Sequence, residues 1–366
     1  MSVETIVESV AADGRRLSRE DALCLFASDD LAALGLGADR ICARLHPGNV
    51  RTYVIDRNIN YTNVCVSGCK FCAFFRSQGS PDAYVLTENQ VLDKVAEAVG
   101  LGATEILMQG GLHPDLPLSY YTGLLRAMKS SFDVHLHCFS PPEIVHLSRV
   151  SRLTLRQVLK RLREAGLDTL PGGGAEILSD GVRRQVSPGK CSADEWIEVM
   201  RTVADLGMRA TATMMFGHVE SHEDRLEHLL RIRQVQDETS VFTAFISWTY
   251  QAGNTALGSP PGRAAGAHEY LRTLAISRLV LDNVPNLQAS WVTQGLPIAQ
   301  VAMRFGANDL GSTMIEENVV AATGLSFGAT VNDLERNIIA AGFTPAQRDT
   351  LYNILRISHA KVTVQK

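Results

Sequence analysis

From Tyr53 onward the sequence alternates short apolar runs with longer amphipathic stretches, and this alternation constrains the fold more than any other feature. Short runs of this kind predict buried strands, and consecutive strand–helix units form parallel sheets. Eight such units predict a closed (β/α)8 barrel of the TIM type, in the α/β class; a doubly wound open sheet is the structural alternative. The predicted strands are 61–66, 105–109, 134–139, 169–170, 210–216, 242–248, 287–292 and 309–314.

The same pattern divides the chain into three segments. Residues 1–50 predict a helical N-terminal extension, in which Ser18 and Asp21 resemble a capping box, and "HPGN" then interrupts the helical pattern. Residues 51–320 are predicted to form the barrel, and 321–366 a C-terminal helical segment that packs on it. The helices predicted within the barrel are 88–99, 120–130, 155–165, 193–206, 223–236 and 269–282.

Composition restricts the classes of function that fit. The 366 residues carry a net charge of −4 without a basic run, so we expect neither nucleic acid nor a membrane surface among the partners. The sequence has no apolar run of about 18 residues and no secretory signal pattern, so no membrane span is predicted. Four of the seven cysteines are scattered singly, which is untypical of a disulfide framework and favours a cytoplasmic location.

The stretch "CVSGCKFC" brings Cys65, Cys69 and Cys72 close together in the chain. Three closely spaced thiolates, with Gly68 permitting a tight backbone, suit an iron–sulfur cluster. A four-iron cluster normally has four cysteine ligands, so three leave one iron open to another ligand. Two alternatives remain, namely zinc bound with a distant histidine and buried free thiols, although paired x2 spacings dominate zinc sites.

This cysteine motif resembles the signature of the radical S-adenosylmethionine (SAM) enzymes, including an aromatic residue, Phe71, before the third cysteine. The resemblance implies a [4Fe–4S] cluster held by Cys65, Cys69 and Cys72, with SAM on the fourth iron and Phe71 against its adenine. One electron from the cluster would cleave SAM to methionine and a 5′-deoxyadenosyl radical. The cofactor would supply the difficult chemistry, while the protein orients the reactants and excludes water.

The wider sequence resembles the cyclic dehypoxanthine futalosine synthases, a radical SAM family of the futalosine route to menaquinone. The resemblance extends from Tyr53 to Tyr352. Aminodeoxyfutalosine synthases and the two halves of the deazaflavin F0 synthase are the nearest alternatives, and a zinc-binding barrel protein is the non-enzymatic one. The motifs that carry the resemblance are "NINYTNVCVSGCKFCAFFR", "ILMQGGLHPDLPL", "HLHCFSPPEI", "LPGGGAEILSD", "TATMMFGHVE", "LQASWVTQG" and "GANDLGSTMIEENV".

Several residues at predicted strand ends are candidates for cofactor binding, because the active sites of such barrels lie at the carboxyl ends of the strands. Gly110 and Gly111 would let backbone approach the SAM amino group, and Ser140 could bond its ribose or carboxylate; a strand-to-loop turn and a helix N-cap are the structural alternatives. Glu176 could bind the ribose hydroxyls or the amino group. The candidate cofactor-binding residues are Phe71, Gln109, Gly110, Gly111, Ser140, Glu176 and either Arg183 or Arg184, whose fork suits a carboxylate.

The resemblance implies that the substrate is dehypoxanthine futalosine, which joins a free ribose to a benzoate. Hydrogen would be abstracted from ribose C4′, the carbon radical would close a spiro ring on the arene, and loss of an electron and a proton would restore aromaticity. An external one-electron reductant, such as flavodoxin or ferredoxin, is implied as a partner.

The last proton requires a base. We expect one carboxylate among Glu220, Asp309 and Glu316 to accept it, with His218 as a candidate for substrate contact or proton transfer. A structural histidine at a strand end is the alternative for His218. Trp248 and Trp291 could form walls for the aromatic ring, and Tyr53 and Asp56 could close the mouth of the barrel.

Overall fold

In the computed structural model, which describes residues 2–259 and 265–358, a curled and mostly parallel sheet forms the centre of the molecule. Its first strand is bent: β1 (Val50–Val54) and β2 (Asp56–Asn60) are separated only by Ile55. β1 pairs in parallel with β9 (Asp309–Ser312), whereas β2 pairs in parallel with β3 (Glu105–Gln109). The two ends of the sheet therefore meet at one bent strand, and eight strand positions form the predicted (β/α)8-type barrel.

The remaining barrel strands follow in chain order, each paired with its predecessor in parallel. They are β4 (His135–Cys138), β5 (Thr169–Leu170), β6 (Arg209–Phe216), β7 (Phe242–Thr249) and β8 (Asn286–Gln288). The first helices are α1 (Val3–Ala11), α2 (Arg19–Phe26), α3 (Leu31–Leu45), α4 (Glu88–Gly100), α5 (Leu118–Ser131), α6 (Pro141–Ser151) and α7 (Leu155–Glu164). The later helices are α8 (Asp180–Val186), α9 (Ala193–Asp205), α10 (His222–Thr239), α11 (Ala267–Val280), α12 (Trp291–Gln294), α13 (Leu296–Ala302) and α14 (Val331–Ala340), with a 3-10 turn at Ala321–Thr323.

The helices agree closely with the predicted pattern because each buries one apolar stripe against the sheet or a neighbouring helix. The N-terminal extension is helical as expected, and the Ser18 hydroxyl accepts a hydrogen bond from the Asp21 backbone N–H at the start of α2. α3 packs on α11 through small and apolar residues such as Leu34 and Ala38, both fully buried. Within 2–259 and 265–358, no helix is both long enough and apolar enough to cross a membrane.

Two predicted strands need correction. The first strand lies upstream of 61–66. The prediction missed it because its sequence "DRNIN" carries inward-facing polar residues and lacks the apolar run that identifies a buried strand. Residues 61–66 instead enter the cysteine loop and form only isolated bridges. The seventh strand ends at Gln288 and not at Val292, since Trp291 opens a short helix and its indole N–H donates to Ser312 O over 3.0 Å.

The C-terminal segment is not wholly helical, contrary to prediction. After α14, β10 (Thr344–Arg348) pairs in parallel with β1, and β11 (Ile354–Ile357) pairs antiparallel with β10. The sequence "TPAQR" has little intrinsic strand preference, so only its pairing with β1 makes it a strand. Residues 359–366 of the predicted segment lie outside the described residues.

A buried ion pair ties β10 to the barrel. The Arg348 guanidinium donates from Nε and Nη2 to the two carboxylate oxygens of Asp309, over 2.6 and 2.9 Å. Thr52 Oγ1 donates to the same carboxylate over 2.5 Å. Both charged side chains are nearly inaccessible to solvent, so removing one leaves the other buried without its partner.

Asp309→Ala is therefore expected to lower the free energy of unfolding by about 3–5 kcal/mol, measured by urea denaturation at matched cluster content. The control is Asp205→Ala, because Asp205 pairs with Arg156 at 3.2 Å on an exposed surface, where such a pair contributes about 0–1 kcal/mol. Equal losses in the two variants would contradict the structural role assigned to Asp309.

Candidate active site

The loop that carries the three cysteines connects β2 to α4 at the carboxyl end of the barrel. Backbone hydrogen bonds fix it to its surroundings: Val66 N–H donates to Leu112 O over 3.0 Å, and Lys70 N–H donates to Val186 O over 2.8 Å. Gly68 has a φ of +59°, which confirms the need for glycine at the tightest point of the loop. The loop is therefore an ordered part of the barrel mouth.

The three thiols lie on one side of this loop and form no disulfide. Ser67 Oγ is 2.9 Å from Cys65 Sγ and 3.2 Å from Cys69 Sγ, so one hydroxyl bridges two of them. Burial raises the pKa of the Cys69 thiol to about 11 and also raises that of Cys72. Such thiols ionise only where positive charge compensates them, as bound iron would.

The donor set fits a cluster with one open iron. Among the residues that the structure describes, no group of three histidine, cysteine, aspartate or glutamate side chains converges as the ligands of one metal ion would. Cysteine thiolates are the ligands of iron–sulfur clusters, and Cys65, Cys69 and Cys72 lie on one fixed loop.

Lys190 is a site residue that the sequence analysis did not identify. Its ammonium forms an ion pair with Glu176 and lies 5.0 Å from the centre of the Phe71 ring. Burial lowers the pKa of Lys190, but Cys69 and Glu176 outweigh this effect and raise it above its ordinary value. A fixed positive charge thus sits beside the cysteine loop, and Glu176 is a buried ion-pair partner, not a surface residue.

The Gln109-Gly110-Gly111 turn follows β3 as predicted, but internal packing accounts for both glycines. A Cβ on Gly110 would lie 2.5 Å from the Tyr61 ring, and one on Gly111 would lie 2.1 Å from Val64 O. The Gln109 side chain donates from Nε2 to Phe139 O over 3.2 Å and reaches the cavity wall. These contacts position the turn against the start of the cysteine loop.

A buried carboxylate, Glu143, connects several candidate residues. It accepts hydrogen bonds from Ser140 Oγ at 2.5 Å, Tyr61 Oη at 2.6 Å and the Gly110 N–H at 3.1 Å. Ser140 does not cap α6 through its side chain, so the expected cap bond is absent and the hydroxyl serves Glu143. Burial raises the pKa of Glu143 to about 7 despite these donors.

The Arg183 side chain is hydrogen-bonded to the backbone of its own loop. Its guanidinium donates to the carbonyl oxygens of Gly174, Ala175 and Cys191, and its side chain is 3% exposed. This placement does not favour a contact with a cofactor carboxylate. Arg184, the other candidate, is exposed on the surface of α8.

His218 and Glu220 lie together after β6, both buried and both bonded to the backbone of the turn. Glu220 accepts bonds from the N–H groups of Gly217 and His218 and from Arg225 Nε, over 2.6, 2.9 and 2.8 Å. His218 Nδ1 accepts from Val219 N–H, which leaves Nε2 to donate to Met215 O. Burial opposes ionisation, yet His218, Arg225 and the two N–H groups hold the pKa of Glu220 below its ordinary value. The arrangement favours the structural alternative.

The other two predicted bases are also paired. Asp309 holds Arg348 and begins β9, so it lies away from the carboxyl end of the strand. Glu316 accepts from Arg57 Nε over 2.7 Å and from Lys94 Nζ over 2.8 Å. Burial opposes ionisation, but Lys94, Asn318 and Arg57 lower the pKa of Glu316. The structure thus brings none of the three predicted bases to the cavity as a free acceptor.

A cavity of about 280 Å³ occupies the barrel interior. Trp248 and Trp291 both line it, as the sequence analysis expected for walls around an aromatic ring. Tyr53 does not close its mouth, because its hydroxyl donates to Glu335 outside the barrel over 2.6 Å. The wall is unusually polar for a TIM-type barrel, whose interior is normally filled by branched apolar residues. Its polar lining includes Asp56, Asn58, Glu105, His137, Gln288 and Arg348.

Asp56 and Glu105 form a pair that sequence reasoning missed. They are register partners on β2 and β3, and both are buried, with 3% and 5% of their surface exposed. Asp56 lies at the beginning of β2 and therefore cannot close the mouth, contrary to expectation. The available signal was the alternation of Asp56, Asn58 and Asn60, which puts three polar residues on one face of a strand.

Comparison with known proteins defines the class. The profile of the radical SAM superfamily matches residues 59–232, and that of the "CofH/MqnC C-terminal region" matches residues 239–361. The chain belongs to the radical SAM superfamily, whose enzymes use a [4Fe–4S] cluster and SAM, and within it to the group that shares this C-terminal region.

Three curated relatives with different activities are similar to this chain over nine-tenths or more of its length. A cyclic dehypoxanthine futalosine synthase of Halalkalibacterium halodurans is 46% identical, covering 100% of this chain and 98% of its own. An aminodeoxyfutalosine synthase of Thermus thermophilus is 40% identical over 94% of each chain. A 5-amino-6-(D-ribitylamino)uracil–L-tyrosine 4-hydroxyphenyl transferase of Archaeoglobus fulgidus is also 40% identical, over 91% of this chain and 98% of its own.

Solved structures agree on the fold. Methylornithine synthase superposes with a TM-score of 0.73 at 17% identity, over 93% of this chain and 97% of its own. The FeFe-hydrogenase maturase HydG of Carboxydothermus hydrogenoformans gives a TM-score of 0.76 at 16% identity, over 96% of this chain and 80% of its own. At such low identity these likenesses support the barrel alone.

Cys69→Ala is expected to abolish the brown colour and reduce iron and sulfide content after anaerobic reconstitution, because two thiolates cannot hold the cluster. Cys24→Ala is the matched control, since Cys24 is exposed and remote from the loop. A fully loaded cluster in Cys69→Ala would contradict the ligand assignment.

Gly111→Ala is expected to lower stability by about 1–3 kcal/mol and reduce cluster loading, because the added methyl would meet the Val64 carbonyl of the backbone. Gly123→Ala, within α5, meets nothing within 4 Å and should be neutral or slightly stabilising. Thermal unfolding with iron analysis provides the measurement, and indistinguishable variants would refute the packing argument.

Proposed function

We propose that this enzyme converts dehypoxanthine futalosine to cyclic dehypoxanthine futalosine in menaquinone biosynthesis. The observation that carries the proposal is the 46% identity, over the whole chain, to a cyclic dehypoxanthine futalosine synthase. The barrel cavity supports it, because aromatic walls and polar groups together suit a molecule that joins a benzoate to a sugar.

Cys65, Cys69 and Cys72 would hold the cluster. When bound, the reduced cluster and SAM supply the 5′-deoxyadenosyl radical that abstracts a ribose hydrogen. Gln109, which lines the cavity, is placed to orient polar parts of SAM or the sugar near the mouth, and Lys190 holds Glu176 beside the cysteine loop.

The aromatic end of the substrate would lie against the tryptophans of the cavity wall. Trp248 and Trp291 line the cavity and would pack on the arene and exclude water from a reactive carbon centre. Arg348 is the only cationic side chain among the described residues that line the cavity; Asp309 holds its Nε and Nη2, so the benzoate would meet this cation as part of an ion pair. An external one-electron reductant, such as flavodoxin or ferredoxin, would deliver the electron.

The experiment is an anaerobic incubation of reconstituted protein with SAM, a reductant and dehypoxanthine futalosine, with products identified by mass spectrometry. We expect cyclised product together with free 5′-deoxyadenosine and methionine. The aminodeoxyfutalosine synthase alternative would instead use an enol ether substrate and incorporate the adenosyl group covalently. Failure to cyclise, with an adenosylated product from the enol ether, would overturn the proposal.

A further inference from the structure

Two carboxyl groups face each other on the wall of the barrel cavity. Asp56 and Glu105 are direct register partners on the parallel strands β2 and β3, so their side chains project from the same face. Both line the cavity and both are more than nine-tenths buried. Neither forms an ion pair in the part of the chain that the structure describes, although Arg348 lines the same cavity.

The hydrogen-bond partners of this pair are incomplete. One oxygen of Asp56 accepts from the Ser312 hydroxyl, whereas Oε2 of Glu105 receives no donor from any described residue. Two facing carboxyl groups can bond only by sharing a proton, and like charges so close cannot both ionise. Burial, reinforced by the charge of Glu105, raises the pKa of Asp56 well above its usual range. The two facing carboxyl groups are therefore placed to share a single proton.

The other groups on the wall are poorer proton acceptors. Glu317 also lines the cavity, but its two oxygens accept four bonds from the backbone N–H groups of 319–321. His137 engages Thr169 through Nδ1 at 2.7 Å, and burial lowers its pKa to about 4. Among the described lining residues, Glu105 is thus a carboxylate with a buried oxygen that receives no protein donor.

We propose that Glu105 is the base that removes the last proton from the cyclised substrate, and that Asp56 is a positioning residue that holds the shared proton beside it. This inference rests on the proposed cyclase function and deepens it. The direct cross-strand register, the shared cavity wall and the incomplete set of donors around Glu105 carry the assignment.

The step conserves atoms and charge. After the new C–C bond has formed, the arene is an open-shell ring with one sp3 carbon that still carries hydrogen. That C–H bond breaks, its proton binds Glu105, and its electron pair returns to the ring. The remaining unpaired electron leaves to a one-electron acceptor of the iron–sulfur or flavin class, and the ring becomes aromatic again.

The position of the pair fits this step. Glu105 begins β3 and Gln109 ends it at the mouth, so about 13 Å of strand separate the acid pair from the cysteine side of the barrel. The hydrogen abstraction belongs near the mouth, where the cluster would be held. An arene attached to the sugar would extend inward past Trp248 and Trp291, which lie near the carboxyl ends of their strands, towards Glu105 at the beginning of β3.

The test compares Glu105→Gln, Asp56→Asn and the wild type at matched iron content, measuring cyclised product and 5′-deoxyadenosine in the same reactions. In Glu105→Gln we expect the rate of cyclised product to fall by about 100-fold or more, the range for loss of a general base. Release of 5′-deoxyadenosine should fall far less, because hydrogen abstraction precedes the proton transfer. Asp56→Asn should lose less, since its amide can still donate to an ionised Glu105.

The outcomes separate the two claims. Glu164→Gln, on the exposed face of α7, removes the same charge elsewhere and should retain the wild-type product ratio. If Glu105→Gln keeps the wild-type ratio, or loses both products in proportion, the assignment of the base is overturned while the cyclase function stands. If the wild type itself forms no cyclised product, the proposed function fails.

A second measurement addresses the shared proton without activity. Infrared spectra of the metal-free protein, taken more than one pH unit above the pKa of about 7 of Glu143, should contain a protonated carboxyl band. Asp56→Asn should remove that band, Glu105→Gln should shift its frequency because the proton then stays on buried Asp56 without a carboxylate partner, and Glu164→Gln should leave it unchanged. A band that keeps its wild-type frequency in either pair variant would contradict the shared proton.

Discussion

One bent strand holds the barrel together. Because only Ile55 separates β1 from β2, a single segment bonds to the last barrel strand with its first half and to β3 with its second. The bend also opens the edge of β1, which β10 occupies and through which Arg348 enters the barrel. The cysteine loop leaves directly from the end of β2, so the cluster site, the cavity wall and the C-terminal strand all depend on this segment.

The barrel separates two kinds of polar group along its axis. At the mouth, Lys190 and Glu143 fix the loops that follow the strands, and their partners are backbone N–H groups, hydroxyls and one ion pair. Deeper inside, Asp56 and Glu105 face a cavity without a full set of partners. Polar groups with hydrogen-bond partners stabilise the loops. Polar groups without such partners are costly to bury unless a ligand supplies the missing hydrogen bonds. We therefore assign Lys190 and Glu143 to the scaffold of the mouth, and Asp56 and Glu105 to the reactive part of the cavity wall.

Sequence patterns predicted the barrel because most strands and helices obey local rules of periodicity and capping. They also predicted the cysteine loop, since three cysteines and Gly68 are adjacent in the chain. They failed where partners are distant: Asp309 pairs with Arg348, and Glu316 with Lys94, across long separations that no local pattern encodes. The polar alternation from Asp56 to Asn60 was visible, yet it concealed a strand because buried strands are expected to be apolar.

The central claim is that this radical SAM enzyme abstracts hydrogen from the ribose and closes the ring without consuming SAM into the product. Dehypoxanthine futalosine deuterated at C4′ tests it most directly, with anaerobic turnover followed by mass spectrometry of both products. We predict that 5′-deoxyadenosine carries the single deuterium and that the cyclised product has lost it. Unlabelled 5′-deoxyadenosine, or deuterium retained in a cyclised or adenosylated product, would contradict the claim.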